Sequence, residues 1–249
     1  MIAYITGATS GFGRAIALKL AKNNYNIIVT GRRKTLLETL AQEIKKDYTV
    51  DVLISNYDVR NAEDVKNAVE NLPENWKKID VLVNNAGLAV GLSSIQDGDI
   101  DDWERMIDTN IKGLLYVSRN IAPLMIKQGR GHIINIGSIA GKEVYLNGNV
   151  YCATKHAVDA LTKAMRIDML KHGIKVTQIC PGAAETEFSL VRFKGDKQTA
   201  DNVYKGFTPL TADDIANVVE YAVNLPKHVC LNDIVMTCLA QANTTNIFK

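Results

Sequence analysis

Short runs of β-branched residues alternate with helical patterns along the whole chain of 249 residues. The runs predict seven strands, at residues 2–5, 26–30, 50–54, 79–83, 132–136, 174–179 and 233–237. Apolar residues at three- and four-residue spacing predict helices between them, at residues 12–23, 34–46, 62–71, 101–127, 150–171 and 211–224. Neighbouring parallel strands need such crossover connections, so the pattern indicates an α/β fold with a doubly wound parallel sheet and helices on both faces.

The length fits one domain that spans residues 1–249. Residues 183–210 interrupt the alternation, because they are rich in Thr, Lys and Gly and show little periodicity. Long irregular insertions of this kind often cover a binding site. We therefore predict a substrate lid at about residues 183–210.

Composition argues against several function classes. The net charge of +2 is too close to neutral for binding along nucleic-acid phosphates. No apolar run approaches the ~18 residues of a membrane span, and residues 1–5 lack the basic leader of a secretory signal. The four cysteines form no C-x-x-C pair and have no histidines at zinc spacing, so we expect reduced thiols, a cytoplasmic protein and no metal.

A glycine-rich turn follows the first predicted strand. Its spacing is G-x-x-x-G-x-G, with Gly7, Gly11 and Gly13 before a predicted helix. Glycines let the backbone approach a pyrophosphate, and the start of the helix offers free N–H groups and a positive dipole end. Any tight strand-to-helix turn favours glycine, so the spacing alone is weak evidence. The strand before it and the helix after it favour a dinucleotide site.

The end of the second predicted strand indicates which dinucleotide binds. An NAD site places an acidic residue there for the ribose 2′-hydroxyl, whereas this chain has Arg32 and Arg33. Two guanidinium groups can hold a 2′-phosphate, and Ser10 can add a hydroxyl donor. The alternative is a solvated basic loop. We predict NADP (NADPH) as the cofactor.

A tyrosine and a lysine four residues apart carry the predicted chemistry. Tyr151 and Lys155 share one face of a predicted helix, and Ser138 follows the strand 132–136 at the ligand-binding edge of the sheet. A phenol has a pKa of ~10, and a lysine ammonium together with a cationic nicotinamide would lower it enough for proton transfer near neutral pH. Ser138 would hold the substrate oxygen. A Y-x-x-x-K pair also occurs by chance in many helices.

These residues resemble the short-chain dehydrogenase/reductase family over essentially the whole chain. Further marks are Asn-Asn-Ala-Gly at residues 84–87, Asn110 within Thr-Asn-Ile, and Pro181-Gly182 followed by Thr186. The resemblance implies a single Rossmann domain with about seven strands. It also implies that Asn110 completes a catalytic Ser-Tyr-Lys-Asn tetrad by anchoring a water that passes protons to Lys155. Taken alone, Asn110 could be a polar residue that bends a helix.

The resemblance also implies where the cofactor lies. Asp58 and Val59 would flank the adenine, and Asn84, Ala86 and Gly87 the adenosine ribose, although Asn84 could belong to a plain turn. The residues expected to bind the cofactor are Gly7, Thr9, Ser10, Gly11, Phe12, Gly13, Arg32, Arg33, Asp58, Val59, Asn84, Ala86, Gly87, Tyr151, Lys155, Pro181, Gly182, Ala184 and Thr186.

A narrower likeness concerns the substrate. Residues 186–196 and Gly-Asn-Val at 148–150 resemble the NADP-dependent 3-hydroxy acid dehydrogenases, a subgroup that includes serine and allo-threonine dehydrogenases. An arginine above the nicotinamide would pair with a substrate carboxylate, and Arg192 is the candidate, with Lys194 close by. The alternative is a charged surface loop. The residues expected at the substrate are Ser138, Tyr145, Phe188 and Arg192.

Several questions stay open in the sequence. The substrate predicted from the resemblance is a small 3-hydroxy acid such as serine, allo-threonine or 3-hydroxypropionate. The alternatives are a reductase of a sugar or dicarbonyl and a non-catalytic NADPH sensor. Cys-Leu-Ala at residues 238–240 replaces an expected Pro-containing turn, which leaves any C-terminal contribution to the pocket in doubt. The acidic run 97–102 is expected to cap a helix. Apolar residues on helices 101–127 and 150–171 predict a homodimer or homotetramer.

Overall fold

The computed structural model describes all 249 residues and contains one sheet of seven parallel strands. The strands are β1 (Ile2–Ile5), β2 (Asn26–Gly31), β3 (Val52–Asn56), β4 (Val81–Asn84), β5 (Gly131–Ile136), β6 (Ile174–Pro181) and β7 (Asp233–Met236). The helices are α1 (Gly11–Lys22), α2 (Lys34–Asp47), α3 (Ala62–Glu70), α4 (Ile100–Ile107), α5 (Leu114–Gln128), α6 (Asn149–Leu170), α7 (Glu187–Arg192), α8 (Lys197–Asn202) and α9 (Ala212–Asn224). The predicted α/β fold with a doubly wound parallel sheet is confirmed.

The strand order places the ligand-binding edge. It runs β3-β2-β1-β4-β5-β6-β7, so the direction of winding reverses between β1 and β4. Ligands of open parallel sheets bind outside the carboxyl ends of the strands at such a switch point. The loops that follow β1, β4, β5 and β6 therefore converge on one site.

Apolar layers cover both faces of the sheet. Alternate residues of β1 point to opposite faces: Ile5 packs with the layer of α1 and α9, and Tyr4 with the layer of α3 and α5. Both side chains are fully buried. Burying a large apolar side chain contributes roughly 1.5–3 kcal/mol, which explains why the central strands are apolar on both faces. None of the helices has the length and apolar character that a membrane span needs.

The predicted helix at residues 101–127 is interrupted in the structure. A π-helical turn (Asp108–Gly113) separates α4 from α5. The Asn110 side chain within it accepts a hydrogen bond from Leu88 N (2.8 Å) and donates to Leu88 O (2.9 Å) and to Thr154 Oγ1 (3.0 Å). These tertiary bonds explain why a polar residue is buried at this point, and π turns are frequent at functional sites. Spacing of apolar residues does not reveal such a turn.

A buried histidine in β5 makes the fold sensitive to acid. His132 Nε2 lies 2.7 Å from Thr177 Oγ1. Burial, and secondarily the charge of Lys175, lowers the pKa of His132 from 6.5 to about 4. Between these two values the unfolded chain binds a proton that the fold excludes, so stability is complete above pH 6.5 and falls as the pH drops toward 4.

We expect His132→Gln to lose less stability than the parent between pH 7 and pH 4. The lowering of the His132 pKa from 6.5 to about 4 corresponds to a free energy of unfolding on the order of 3 kcal/mol. Urea unfolding at pH 7, 5.5 and 4 measures the difference, with His228→Gln at an exposed position as the matched control. The same acid sensitivity in all three proteins would contradict the assignment to His132.

Candidate active site

The loops at the carboxyl edge line a cavity of about 660 Å³. Arg33 and Asp58 lie on the side of β2 and β3, and Ser138 and Tyr151 on the side of β5 and α6. Nearly all of the residues expected to bind the cofactor line this cavity, as do all four expected at the substrate. The three expected site residues that do not line it are Gly13, Asn84 and Asn110.

The turn between β1 and α1 is held in close contact with the loop after β4. Gly7 has a φ of +65°, in the left-handed region that favours glycine. A Cβ on Gly13 would lie 2.4 Å from Gly7 O and 2.5 Å from Asn85 Nδ2, so no larger residue fits without movement. Gly13 therefore serves close packing and does not face the cavity.

The first turn of α1 fits an anionic group. Ser10 is the residue before the helix, and its side chain caps none of the free N–H groups there. The helix start therefore presents unpaired donors and the positive dipole end at the cavity. Together with the close backbone packing of Gly7 and Gly13, these donors fit the pyrophosphate of a dinucleotide.

Two arginines form the basic end of the cavity. Arg33 Nη2 donates to Thr9 Oγ1 and Ser10 Oγ, each at 2.8 Å, and Arg33 Nη1 lies 3.1 Å from Glu187 Oε2. Arg32 Nη1 lies 3.8 Å from Asp58 Oδ2. Both arginine side chains are about half exposed, and so remain accessible to a phosphate.

Asp58 is stabilised as a carboxylate at the same end. Arg60 donates to it from Nε (2.9 Å) and Nη2 (2.6 Å). Burial alone would raise the pKa of Asp58, but the hydrogen bonds and charge of Arg60, with the charge of Arg32, outweigh burial and lower this pKa. Val59 follows it and is buried beside the cavity.

Ser138, Tyr151 and Lys155 come together at the other end. Tyr151 and Lys155 are buried on α6, and the Lys155 Nζ lies 5.9 Å from the centre of the Tyr151 ring and donates to Ile136 O at 3.0 Å. The Ser138 Oγ accepts from Ala140 N at 3.1 Å. A Cβ on Gly141 would lie 2.5 Å from Lys155 O, so glycine lets the Ser138 turn sit directly on α6.

Burial dominates the electrostatics of Tyr151 in the protein alone. Burial raises the pKa of Tyr151, and the charge of Arg192 and a hydrogen bond with Ser138 offset this only in part. Burial also lowers the pKa of Lys155 to about 8. In the protein alone, burial outweighs the neighbouring charges, and the cation that lowers the pKa of Tyr151 is Arg192. The expected lowering by Lys155 together with a cationic nicotinamide stays a prediction.

Arg192 projects from α7 into the catalytic end of the cavity. Its Nη2 donates to Tyr145 Oη at 2.6 Å, and its guanidinium carbon lies 5.0 Å from the ring centres of both Tyr151 and Phe188. The Arg192 Nε is buried and has no hydrogen-bond partner. Lys194 instead pairs with Asp102 at 2.8 Å and with Asp99 at 3.2 Å. Of the two cations considered for pairing with a substrate carboxylate, Arg192 therefore lines the cavity, whereas Lys194 is paired with two aspartates outside it.

Asn84 lies outside the cavity, contrary to the expectation that it contacts the ribose. It is buried, and its Nδ2 donates to Ser118 Oγ at 2.9 Å and to Asn135 Oδ1 at 2.8 Å. The next residue, Asn85, lines the cavity and donates to Thr6 O at 2.8 Å. Side chains alternate along β4, so Asn84 lies on the same face as Leu82, in the layer between the sheet and α5, where it bonds to Ser118.

The C-terminal segment contributes residues that the sequence did not identify. Gln241, Thr244 and Ile247 line the cavity. The Gln241 Oε1 accepts from Ala183 N at 2.7 Å, and Thr244 N and Oγ1 donate to Glu143 Oε2, each at 3.1 Å. No spacing or residue type in this segment indicates these contacts. They depend on the path of the chain after β7, which brings Gln241 next to Ala183 at the end of β6.

The acidic run before α4 has the expected capping role. The Asp99 side chain accepts from Asp101 N at 3.0 Å at the start of α4. Its ion pair with Lys194, like that of Asp102, also ties residues 183–210 to this helix.

The model of the short chain dehydrogenase family matches residues 1–196. The chain belongs to this family. The predicted family membership is therefore confirmed, including the resemblance to its 3-hydroxy acid dehydrogenases.

Relatives with known names are similar over nearly the full length. NADP-dependent 3-hydroxy acid dehydrogenase YdfG of Salmonella typhi is 45% identical, with 97% of this chain and 96% of that protein covered. Sulfoacetaldehyde reductase 2 of Chromohalobacter salexigens is 43% identical, with 97% and 95% covered. The closed form of a serine dehydrogenase complexed with NADP⁺ superimposes with a TM-score of 0.93 at 41% identity and covers 100% of both chains.

We expect Asn84→Ala to destabilise the fold with little effect on cofactor affinity. The change leaves buried partners on Ser118 and Asn135 unsatisfied, which costs about 1–3 kcal/mol. Thermal unfolding measures the loss, and calorimetric titration with NADP⁺ measures affinity, at a temperature below the unfolding transition recorded for the variant. A tenfold weaker affinity at unchanged thermal stability would instead place Asn84 at the ribose.

Proposed function

We propose that this chain is an NADP-dependent dehydrogenase/reductase that interconverts small 3-hydroxy acids and their carbonyl counterparts. The observation that carries the proposal is Arg192, whose buried Nε has no partner and whose guanidinium lies beside Tyr151 in the cavity. Arg192 is half-buried, and a buried N–H without a partner is costly, so an anion beside the guanidinium would stabilise this arrangement. The names of the relatives, which include hydroxy acid and serine dehydrogenases, support this substrate class.

NADP is the cofactor that the basic end of the cavity fits best. Arg32 and Arg33 occupy the place where an NAD site has an acidic residue, and neither is buried. The half-exposed guanidinium groups and the Ser10 hydroxyl suit a 2′-phosphate. A bound NADP would supply the hydride-transfer chemistry and, when oxidised, a positive charge, while Arg32, Arg33 and Ser10 would hold its 2′-phosphate.

Arg192 and Ser138 orient the substrate between them. The carboxylate pairs with Arg192, whose Nη2 is already fixed by Tyr145. The hydroxyl of a 3-hydroxy acid lies two carbons from the carboxylate carbon, and Ser138 and Tyr151 receive it. Phe188 lies 5.6 Å from the Tyr151 ring, centre to centre, and excludes water from this end.

Tyr151 transfers the proton. In reduction its hydroxyl donates to the carbonyl oxygen, and in oxidation the phenolate accepts the proton of the alcohol. Lys155 is held by Ile136 O, and its lowered pKa of about 8 suits a group that passes protons onward. Asn110 is fixed by Leu88 and Thr154, and it supports the water that relays protons to Lys155.

A sulfonate is the second candidate anion. Sulfoacetaldehyde reductase 2 is as similar to this chain as the hydroxy acid dehydrogenases are. A 2-hydroxyethyl sulfonate places its hydroxyl two carbons from the anionic centre, as 3-hydroxypropionate does. A guanidinium group pairs with either anion, so both belong in a substrate screen.

The segment 183–210 serves as the substrate lid in this proposal. It carries Arg192 and is attached through Lys194 to the start of α4. We also infer a homodimer or homotetramer in the cytoplasm, because Ile167 and Leu170 on α6 are 75% and 76% exposed. Unpaired thiols at all four cysteines agree with a reducing compartment.

We expect Tyr151→Phe to reduce kcat by at least ~10²-fold, because the proton donor is lost. NADP⁺ affinity and thermal stability should change far less than kcat does. In the parent, kcat/KM for oxidation should rise with pH, since the phenolate is the base and burial raises the pKa of Tyr151. A variant that keeps a tenth of the parental kcat, or keeps this rise with pH, would refute the role of Tyr151.

We expect Arg192→Met to raise KM for 3-hydroxypropionate by about 10- to 100-fold, since a hydrogen-bonded charge contributes roughly 1.5–3 kcal/mol. Initial rates with serine, allo-threonine, 3-hydroxypropionate and 2-hydroxyethyl sulfonate, each with NADP⁺ and NAD⁺, test the substrate class and the cofactor together. Lys197→Met removes one positive charge from the same segment and is the control. Better turnover of neutral alcohols than of all four anions would refute the anionic substrate.

A further inference from the structure

An ion pair joins two parts of the chain that are 154 residues apart. Arg33 follows β2 and is expected to bind the 2′-phosphate, whereas Glu187 is the first residue of α7. The Arg33 Nη1 donates to Glu187 Oε2 at 3.1 Å. Sequence patterns gave no reason to connect Glu187 with the cofactor.

The other two nitrogens of Arg33 are also engaged. Its Nε and Nη2 donate to Thr9 Oγ1 at 3.2 and 2.8 Å, and Nη2 donates to Ser10 Oγ at 2.8 Å. An anion that binds this guanidinium on two nitrogens must therefore replace an existing acceptor. Arg32, in contrast, has only a distant partner, Asp58, at 3.8 Å.

The acceptors of Arg33 respond differently to a phosphate. The hydroxyl groups of Thr9 and Ser10 can rotate and donate to phosphate oxygens, so they can remain in place. A carboxylate has no hydrogen to donate and is repelled by the phosphate. Glu187 is thus the acceptor of Arg33 that a bound phosphate repels and that competes with it.

We propose that Glu187 sets the strength of 2′-phosphate recognition by competing for Arg33, a role that rests on the NADP assignment above. The competition weakens binding of the phosphorylated cofactor and leaves the unphosphorylated one unaffected. The effect is modest, because both side chains are about half exposed and such ion pairs contribute up to about 1 kcal/mol. Glu187 therefore lowers the ratio of the affinity for NADP to the affinity for NAD by a factor of about two to five.

Calorimetric titration with two nucleotide fragments tests the competition without turnover. In Glu187→Gln we expect 2′,5′-ADP to bind two- to fivefold more tightly than in the parent, and 5′-AMP to bind equally well. Glu185→Gln removes the same charge from the same exposed segment, and Glu185 makes no ion pair, so binding should be unchanged. In an Arg33→Met background, Glu187→Gln should have no further effect.

Unchanged or weaker binding of 2′,5′-ADP by Glu187→Gln would overturn the competition, as would an equal gain in Glu185→Gln. Failure of the NADP assignment gives a different result. In that case the parent itself binds 2′,5′-ADP no more tightly than 5′-AMP, and both proposals fall.

Discussion

The rest of the site depends on the close contact between the β1–α1 turn and the loop after β4. The Thr6 Oγ1 accepts from Asn85 N at 3.0 Å and from Ala86 N at 2.9 Å, while the Asn85 side chain donates back to Thr6 O and Gly7 O. Glycine at position 13 lets α1 begin directly against this contact. Because β1 and β4 flank the switch point of the sheet, this contact lies at the base of the cavity, which Gly7, Asn85 and Ala86 line.

A buried cation, Lys155, and a half-buried one, Arg192, lie beside the ring of Tyr151 and are stabilised in different ways. Lys155 has a backbone carbonyl partner, and its lowered pKa records the remaining cost of burial. Arg192 cannot give up its proton, so aromatic faces and the Tyr145 hydroxyl stabilise it instead. The buried Nε–H of Arg192 has no hydrogen-bond partner. An anionic substrate would complete that hydrogen bonding and would also place its hydroxyl beside Tyr151.

Local patterns explain what the sequence predicts well. The strands, most helices and the shared face of Tyr151 and Lys155 follow from periodicity and helical spacing, which nearby residues determine. The inward orientation of Asn84, the π turn around Asn110 and the return of Gln241 to the cavity depend on distant partners. The raised pKa of Tyr151 belongs to this second group, because spacing shows a neighbouring charge but not the burial that outweighs it.

The short helix α7 connects the two charged ends of the cavity. Its first residue, Glu187, pairs with Arg33 at the cofactor end, and its last residue, Arg192, lies over the ring of Tyr151. At 1.5 Å per residue, these two residues are separated by only about 7–8 Å along the axis. The Glu187 contact and the position of Arg192 therefore belong to the same short helix. In the two proposals above, recognition of the phosphate and recognition of the substrate anion therefore both depend on residues of α7.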